Sequence, residues 1–443
     1  MTTATMPPNI LHAVPRTSRR HLMLSSLFTL ICVASWAPGL LELPGGFAPG
    51  HVMTILLLGL VLARTPRLQP EPGIGQQRFL ASLFVSTGFL TFWAFLSGLQ
   101  GDEFYRIGRP IIGFGFAGIT YFIMARTVDP KKIDQTIYIF VIMGCLSALV
   151  SLIAPNVEFL RELLFGHRDR SKGFFKHPNQ FAMVLTAILP AVLAMSLVDR
   201  KRQLAWVSAL GLLLIGVIFA GSKFNTGVIV VASFLVGTTF AWTHPSGLRA
   251  MLLFLGMLVA GSIVAVLGWN LILIYNPRMG ELLAQIASGE EIYSLKDRYN
   301  IWRVSMASFY ADPLFGQGGG AMIALDTRDT DLSHSHNVIL DVMRTMGVPG
   351  LVAVVVMVTS LIGLALHQML VALSHSRASR VERLKLFGLA TGLISFVAAN
   401  MSSDSFGPST TPIFWILLAI TVFQTRKVQY QVSFARNNAP PRS

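Results

Sequence analysis

The chain has 443 residues, of which 53% are hydrophobic and only 13% are charged. Soluble globular proteins carry about 25% charged residues. Here the apolar residues fall in blocks of about 20, long enough to cross a hydrocarbon core of about 30 Å. The composition therefore argues against a soluble enzyme, a disordered chain and a secreted disulfide scaffold. It predicts an all-α polytopic membrane protein.

About twelve apolar blocks are predicted to span the membrane. They must be helices, because a segment in lipid has to satisfy its own backbone hydrogen bonds. The predicted spans lie near residues 22–40, 47–64, 79–98, 109–125, 137–154, 179–198, 204–221, 226–242, 250–270, 345–367, 385–400 and 410–424. Between spans nine and ten we predict a large loop that contains short helices.

The basic residues predict the orientation of the chain. The net charge is +14, from 35 Lys and Arg against 21 Asp and Glu, and Lys and Arg mark cytoplasmic loops. Most of the basic residues lie on the cytoplasmic side if both termini are cytoplasmic. The positive charge therefore reflects membrane topology and does not indicate nucleic-acid binding. The predicted order is a cytoplasmic N-terminal tail (1–21), spans one to nine (22–270), a loop on the outer side (271–344), spans ten to twelve (345–424) and a basic cytoplasmic C-terminal tail (425–443).

The cations on the side opposite the cytoplasm are concentrated in two loops, residues 155–178 and residues 271–344. The topological preference of Lys and Arg for the cytoplasm does not explain them. Clustered Lys and Arg side chains are the usual ligands of phosphates and carboxylates. The pattern therefore predicts a site for an anionic ligand on this side of the membrane.

The first of these loops contains Arg170, Lys172 and His177 and leads directly into span six. Asn179 is predicted to cap that helix. A helix N-terminus beside several cations favours anion binding. The alternative is a solvated loop that anchors the chain to lipid headgroups.

A very short turn, Gly221-Ser222-Lys223, joins two later apolar blocks. Lys223 is either a further cation of the anion site or a side chain that reaches the headgroups from the membrane edge.

The second loop contains Arg298 and Trp302, which are four residues apart and so share one helix face, with Arg303 beside them. The glycine-rich stretch 312–320 follows. It lacks the Gly-Lys-Ser/Thr of a phosphate-binding P-loop and predicts a tight backbone turn.

The segment 333–337, Ser-His-Ser-His-Asn, precedes span ten. His334 and His336 lie at a membrane edge and a helix start, and imidazole accepts a proton near neutral pH, which favours a general base. A pair of surface histidines is the alternative. Asp329 and Asp331 form one short pair without further ligands, which favours a solvated loop, so no metal site is predicted.

Taken in order, these motifs resemble the O-antigen ligase and O-antigen polymerase superfamily of bacterial inner-membrane glycosyltransferases. The resemblance covers roughly residues 160–425. It is carried by Arg170, Gly173, His177, Pro178, Asn179, Arg298, Trp302, Pro313, Phe315, Gly316, Gly318, His336 and Asn337. It implies a GT-C-like fold, a multi-pass inner-membrane location and an active site that faces the periplasm, with residues 271–344 as the periplasmic catalytic loop.

Proteins of this superfamily take a glycan from an undecaprenyl-pyrophosphate carrier and join it to an acceptor sugar hydroxyl, without a metal or another cofactor. The resemblance implies that His336 is the base and that Arg298, Arg170 and Lys223 hold the donor pyrophosphate. Many relatives have Arg at the position of Lys223. Lys keeps the positive charge of Arg but lacks its bidentate guanidinium fork. The supporting positions are Arg303, Trp302, Lys172, His177, Asn337 and His334.

The implied mechanism agrees with simple electrostatics. Glycosyl transfer from a pyrophosphate develops negative charge on the leaving oxygens, and fixed cations can stabilise that charge without a metal. The acceptor hydroxyl has a pKa far above neutrality and benefits from a positioned base. Attack opposite the leaving group would invert the anomeric centre.

Three functions remain open at this point. A polymerase would join lipid-linked glycans to one another, and a ligase would move a finished glycan onto lipid A-core. The polar stretch 400–407 resembles that of exopolysaccharide-type polymerases and favours the first. A transporter or flippase embedded in the same membrane lipids is less favoured. It would need ionisable residues at mid-bilayer, and these spans are almost free of charge.

Overall fold

A computed structural model of the chain describes residues 29–36, 49–64, 74–99, 107–127, 133–165, 170–244, 293–324, 334–402 and 410–437, with a few single residues between 246 and 332. Within these ranges the chain is helical, apart from connecting turns and one isolated β-bridge between Ile323 and Leu332. The all-α prediction is confirmed for this part of the chain.

The helix boundaries follow local sequence signals. In chain order the helices are α1 (Pro49–Arg64), α2 (Ile74–Gly98), α3 (Gly108–Thr127), α4 (Ile133–Ile153), α5 (Glu158–Leu164), α6 (Pro178–Val198), α7 (Gln203–Ala220), α8 (Lys223–Trp242), α9 (Tyr293–Ala311), α10 (Val338–Ser374), α11 (Arg380–Asn400) and α12 (Thr411–Asn437). Pro178 opens α6 at the first helical position, where a missing N–H costs little. Gly221 ends α7 in a left-handed conformation, at φ 60°.

Six helices in the described ranges are long and apolar enough to cross a membrane. They cover Gly75–Gly98, Ile133–Asn156, Pro178–Val198, Arg200–Ala220, Lys223–Trp242 and Val338–Ser374. Two shorter apolar helices cover Gly50–Val61 and Pro110–Ile123. The total of about twelve spans and the periplasmic loop stay predictions. The predicted spans 22–40 and 250–270, and much of the loop 271–344, lie largely outside the described residues.

Helix α6 forms the centre of the bundle, and most of its residues are buried. Helices α7, α8 and α11 pack around it. Glycines let α11 approach closely, because a Cβ at Gly388 or Gly392 would collide with the backbone of Pro190 or Ala187 on α6. Small residues at helix contacts are the usual solution for tight packing in a membrane bundle.

The helices define two ends of the bundle. A short connection joins the end of α10 to the start of α11, where Arg380 Nη2 donates a hydrogen bond to the Phe240 carbonyl near the end of α8, at 3.1 Å. Helices α8 and α10 therefore end together. Helix α10 bends at Gly347, where the backbone is not helical (φ 64°, ψ −158°). Lys223 at the start of α8 and His336 before α10 both lie away from the α10–α11 connection, at the same end of the bundle. We name this the His336 end and the other the opposite end.

At the opposite end, a largely buried ion network joins α4, α11 and α12. Lys385 Nζ lies 2.7 Å from Asp134 Oδ1 and 3.1 Å from Glu382 Oε2, and Lys427 Nζ lies 3.0 Å from Glu382 Oε1. Charges removed from water need such partners, so the network holds the three helices in register. Helix α12 accordingly continues past the predicted end of the last span into the predicted C-terminal tail.

Candidate functional site

The loop before α6 is tied to the end of α7 by Arg170. Its Nε donates to the Ala220 carbonyl at 2.7 Å, and its Nη2 donates to Asn179 Oδ1 at 2.7 Å. The backbone N–H of Ser171 donates to the Phe219 carbonyl at 2.9 Å. The structure therefore brings the first basic loop beside the turn that contains Lys223.

The cap of α6 is His177, so the prediction that Asn179 caps this helix is wrong. His177 Nδ1 accepts a hydrogen bond from the backbone N–H of Asn179 at 3.3 Å. The side-chain oxygen of Asn179 is engaged by Arg170 instead. His177 thus organises the loop, in which Lys172 is half-buried.

Glycine is required within the same loop. Gly173 has a φ of 53°, and a Cβ there would lie 2.5 Å from Ser147 Oγ and 2.8 Å from the Phe181 ring. Its left-handed backbone conformation is costly for other residues. The loop is therefore fixed against α4 and α6 rather than loosely solvated.

The turn at Lys223 is short and ordered by its neighbours. Gly221 closes α7, and its backbone N–H donates to the Ile218 carbonyl at 2.9 Å. Asn225 Nδ2 donates to Ser222 Oγ at 2.8 Å within the turn. Lys223 begins α8 immediately afterwards and is half-buried.

The Arg-x-x-x-Trp helix contacts the histidine segment directly. Trp302 Nε1 on α9 donates a hydrogen bond to the Ser335 carbonyl at 3.1 Å. Ile301 and Ile323 form a small apolar cluster beneath this contact. The Arg-x-x-x-Trp motif and the histidine segment are more than thirty positions apart in the chain, and this hydrogen bond joins them at Ser335, immediately before His336.

His336 has a strained backbone. Its φ of 55° is the one positive φ at a non-glycine residue in the part of the chain that the structure describes. Such a conformation costs of order 1–3 kcal/mol and persists where the surroundings enforce it, often at functional sites. Here Asn337 enforces it from one side by capping α10, with its Oδ1 accepting the backbone N–H groups of Ile339 at 3.0 Å and Leu340 at 3.2 Å.

The two histidine rings lie edge to face. The ring centroids of His334 and His336 are 4.4 Å apart, with an interplanar angle of 72°. Both side chains are half-buried. His334 is therefore placed to restrict the orientation of the His336 imidazole.

Arg298 lies one helical turn before Trp302 on α9 and is half-buried, whereas Arg303 is exposed. Burial lowers the pKa of the Arg298 guanidinium, which nevertheless stays charged at neutral pH. Arg298 and His336 are thus connected through Trp302 and Ser335. Arg170 and Lys223 form a second pair at the same end of the bundle, held by the separate contacts described above.

Comparison with known proteins identifies this region. The sequence model of a family described as O-antigen ligase matches residues 208–355. Over this matched segment, about a third of the chain, the protein is similar to the O-antigen ligase family. The predicted resemblance is confirmed, and the matched residues include Lys223, Arg298 and His336, whereas Arg170 precedes them. No curated protein matches the chain.

Two charged residues of the matched segment were not predicted from the sequence as parts of the site. Arg344 is fully buried on α10, where its Nη2 lies 3.2 Å from Asp341 Oδ1 and donates to the Ala321 carbonyl at 2.9 Å. Asp341 Oδ1 also accepts the backbone N–H of Ser335 at 3.1 Å. The Asp-x-x-Arg spacing within an apolar helix was the available signal, since such charges need a partner.

The glycine-rich turn of the matched segment packs on the same part of α10. A Cβ at Gly316, whose φ is 68°, would lie 2.5 Å from the Arg344 carbonyl oxygen. Phe315 stacks on Trp93 of α2 with ring centroids 5.3 Å apart, and Trp93 Nε1 donates to the Met346 carbonyl at 2.8 Å. The predicted tight turn is confirmed, and its role is to lock α2 and α10 together.

The described residues of the chain contain no group of three or more His, Cys, Asp or Glu side chains that could hold a metal ion. Asp329 and Asp331, weighed above as metal ligands, lie outside the described residues.

We predict that Trp302→Phe separates fold from activity, because it keeps the ring and removes the N–H that holds Ser335. The free energy of unfolding should fall by only about 1 kcal/mol. Glycan transfer should fall at least about tenfold, because His336 loses one of its fixed neighbours. Denaturant unfolding and transfer assays measure the two effects.

Trp242→Phe is the matched control, because Trp242 is 89% exposed and lies at the opposite end of α8. It should leave both quantities unchanged. Wild-type transfer by Trp302→Phe would mean that this hydrogen bond does not position the histidine.

Proposed function

We propose that this protein is a glycosyltransferase that takes a glycan from undecaprenyl pyrophosphate and joins it to a sugar hydroxyl at the periplasmic face of the bacterial inner membrane. The observation that carries the proposal is the strained His336, fixed by Trp302 and Asn337 within an O-antigen ligase domain. About twelve spans and cytoplasmic termini complete the proposed topology.

His336 is the proposed general base. The acceptor hydroxyl oxygen attacks the anomeric carbon, its proton passes to the imidazole, and the bond from that carbon to the pyrophosphate oxygen breaks. The pyrophosphate leaves with the bonding electrons, and the anomeric centre inverts. A base near neutral pKa in hydrogen-bond reach of the hydroxyl is suited to this step. His334, in edge contact with His336, supports the ring.

The leaving pyrophosphate requires positive charge. Arg298 is the first proposed ligand, because it is half-buried one turn from Trp302. Lys223 is the second, with Lys172 and Arg303 as outer cations. Arg170 already uses two donors within the protein, so its proposed contribution is charge and the position of its loop. With these cations in place we expect transfer to proceed without a metal.

A groove between α8 and α11 supports a lipid-linked donor. Lys223 lies at one end of the groove, which has a volume of about 530 Å³ and runs along apolar side chains of α8 as far as Leu235. Ile394 and Ala398 of α11 line its other wall. From Lys223 to Leu235 the helix rises about 18 Å, long enough for several isoprene units. The pyrophosphate would lie near Lys223 and the prenyl chain in the groove.

Two acceptors are compatible with this chemistry. We propose polymerisation, in which the acceptor is another lipid-linked glycan, as the resemblance of the stretch 400–407 indicates. Transfer to lipid A-core is the second candidate, and the description of the matching family as O-antigen ligase favours it.

The role of His336 predicts the effect of two substitutions. Asn tolerates a left-handed backbone and lacks a base, so His336→Asn should fold normally and lose at least about 100-fold in transfer. His336→Ala should also abolish transfer while donor binding persists. Transfer assays and binding of the radiolabelled donor distinguish the two steps.

His334→Ala is the comparison variant: it removes the ring that supports His336 but leaves the base in place, so it should lower transfer far less than His336→Asn does. An active His336→Asn together with an inactive His334→Ala would show that the base is misassigned.

The groove predicts a dependence on the donor lipid. A Cβ at Gly227 would meet nothing within 4 Å, so Gly227→Leu should fold and occupy the groove. The KM for the undecaprenyl donor should rise at least about fivefold, about 1 kcal/mol of lost binding. The KM for a donor with a short prenyl chain should not change.

Gly211→Leu on α7 is the control, because it also meets nothing within 4 Å and lies outside the groove. Equal effects of the two substitutions, or equal effects on long and short donors, would exclude the groove as the site of the prenyl chain.

A further inference from the structure

A second apolar groove lies between α4 and α7. Its volume is about 350 Å³. It is lined on α4 by Val141, Ile142, Cys145, Leu146 and Leu149, and on α7 by Ala205, Ala209 and Leu212. Both helices are long and apolar enough to cross the membrane, so the groove faces lipid.

A basic and aromatic cluster closes this groove at the opposite end. Arg202 Nη1 donates a hydrogen bond to the Tyr138 hydroxyl, and its Cζ lies 5.1 Å from the Tyr138 ring centroid. The rings of Tyr138 and Trp206 stack with centroids 5.5 Å apart. Arg200 and Lys201 are exposed on the same short turn.

The charge at this point is positive. Two carboxylates lie nearby. Asp134, one turn before Tyr138 on α4, is paired with Lys385 and Lys427, and Asp199 Oδ2 accepts the Trp206 indole N–H at 3.1 Å. The three cations beside it are exposed. Tyr and Trp are enriched where helices cross the membrane–water interface, and basic residues between helix ends attract anionic lipid headgroups.

We propose that this groove binds an anionic phospholipid, with its phosphate at Arg202 and one acyl chain between α4 and α7. The basic end of the groove lies away from the His336 end, because Arg202 precedes α7 whereas Lys223 follows it. The lipid therefore belongs to the leaflet opposite the proposed donor. A free phosphate would not account for the apolar groove below the cations.

The same two helices hold the Arg170 loop at their other ends. Ser171 Oγ donates to Ser151 Oγ of α4 at 2.8 Å, and the backbone N–H of Phe174 donates to Ser147 Oγ at 3.2 Å. On α7, the Ala220 carbonyl accepts from Arg170. A lipid in the groove braces α4 against α7 and so stabilises the loop, whichever reaction the protein catalyses.

The experiment measures thermal unfolding of the full-length protein after delipidation in neutral detergent. Phosphatidylglycerol or phosphatidylcholine with identical acyl chains is then added. Phosphatidylglycerol should raise the unfolding temperature of the wild type by about 3 °C, and phosphatidylcholine should raise it by much less. Arg202→Ala should lose this response, and Arg202→Lys should keep most of it.

Two further substitutions separate the groove from general lipid contact. Ala205→Trp occupies the groove and should lose the response, whereas Ser208→Trp lies on the same helix outside the lining and should keep it. Arg377→Ala removes an exposed cation at the same end of the bundle and should also respond as the wild type does. Equal stabilisation by both lipids, or a full response in Arg202→Ala, overturns the proposal.

Discussion

The burial of one guanidinium group organises the candidate site. Arg344 is fully buried in α10, and a charge removed from water must be paired and hydrogen-bonded. Asp341 provides the counter-charge, and the carbonyl of Ala321 accepts a hydrogen bond. Because Asp341 also accepts the Ser335 N–H, the same ion pair fixes the chain immediately before His336. The position of the proposed base is therefore a consequence of how a buried charge is satisfied.

A rigid frame surrounds this pair. The glycine-rich turn fits against α10 only because Gly316 has no side chain, and stacking of Phe315 on Trp93 fastens the turn to α2. On the other flank, Arg170 fastens the first basic loop to α7. Arg170 is thus held in place by hydrogen bonds to the end of α7 and to Asn179. A site that stabilises developing charge gains from such preorganisation, because little energy is spent on reorientation during the reaction.

Sequence patterns predicted the helical class and the motifs but not the partners of single residues. Apolar blocks and the glycine turn are local signals: the turn is present as predicted, and six of the predicted blocks are helices of spanning length in the described part of the chain. Asn179 was expected to cap α6, yet Arg170 takes its side chain and His177 caps instead. Lys427 pairs with Asp134, a residue 293 positions earlier, so α12 is longer than its apolar stretch suggests. Such contacts depend on which helices become neighbours, which one sequence does not specify.

The most direct test of the account is glycan transfer by the purified protein in detergent with EDTA, given a synthetic undecaprenyl-pyrophosphate oligosaccharide. Lipid A-core is added to one sample and omitted from the other. If the protein polymerises lipid-linked glycans, the sample without lipid A-core will contain a lengthened lipid-linked glycan whose new linkage is inverted. Glycan found only on lipid A-core would keep the chemistry and make the protein a ligase. If the folded protein transfers glycan from none of several donors, the proposed glycosyltransferase activity is wrong.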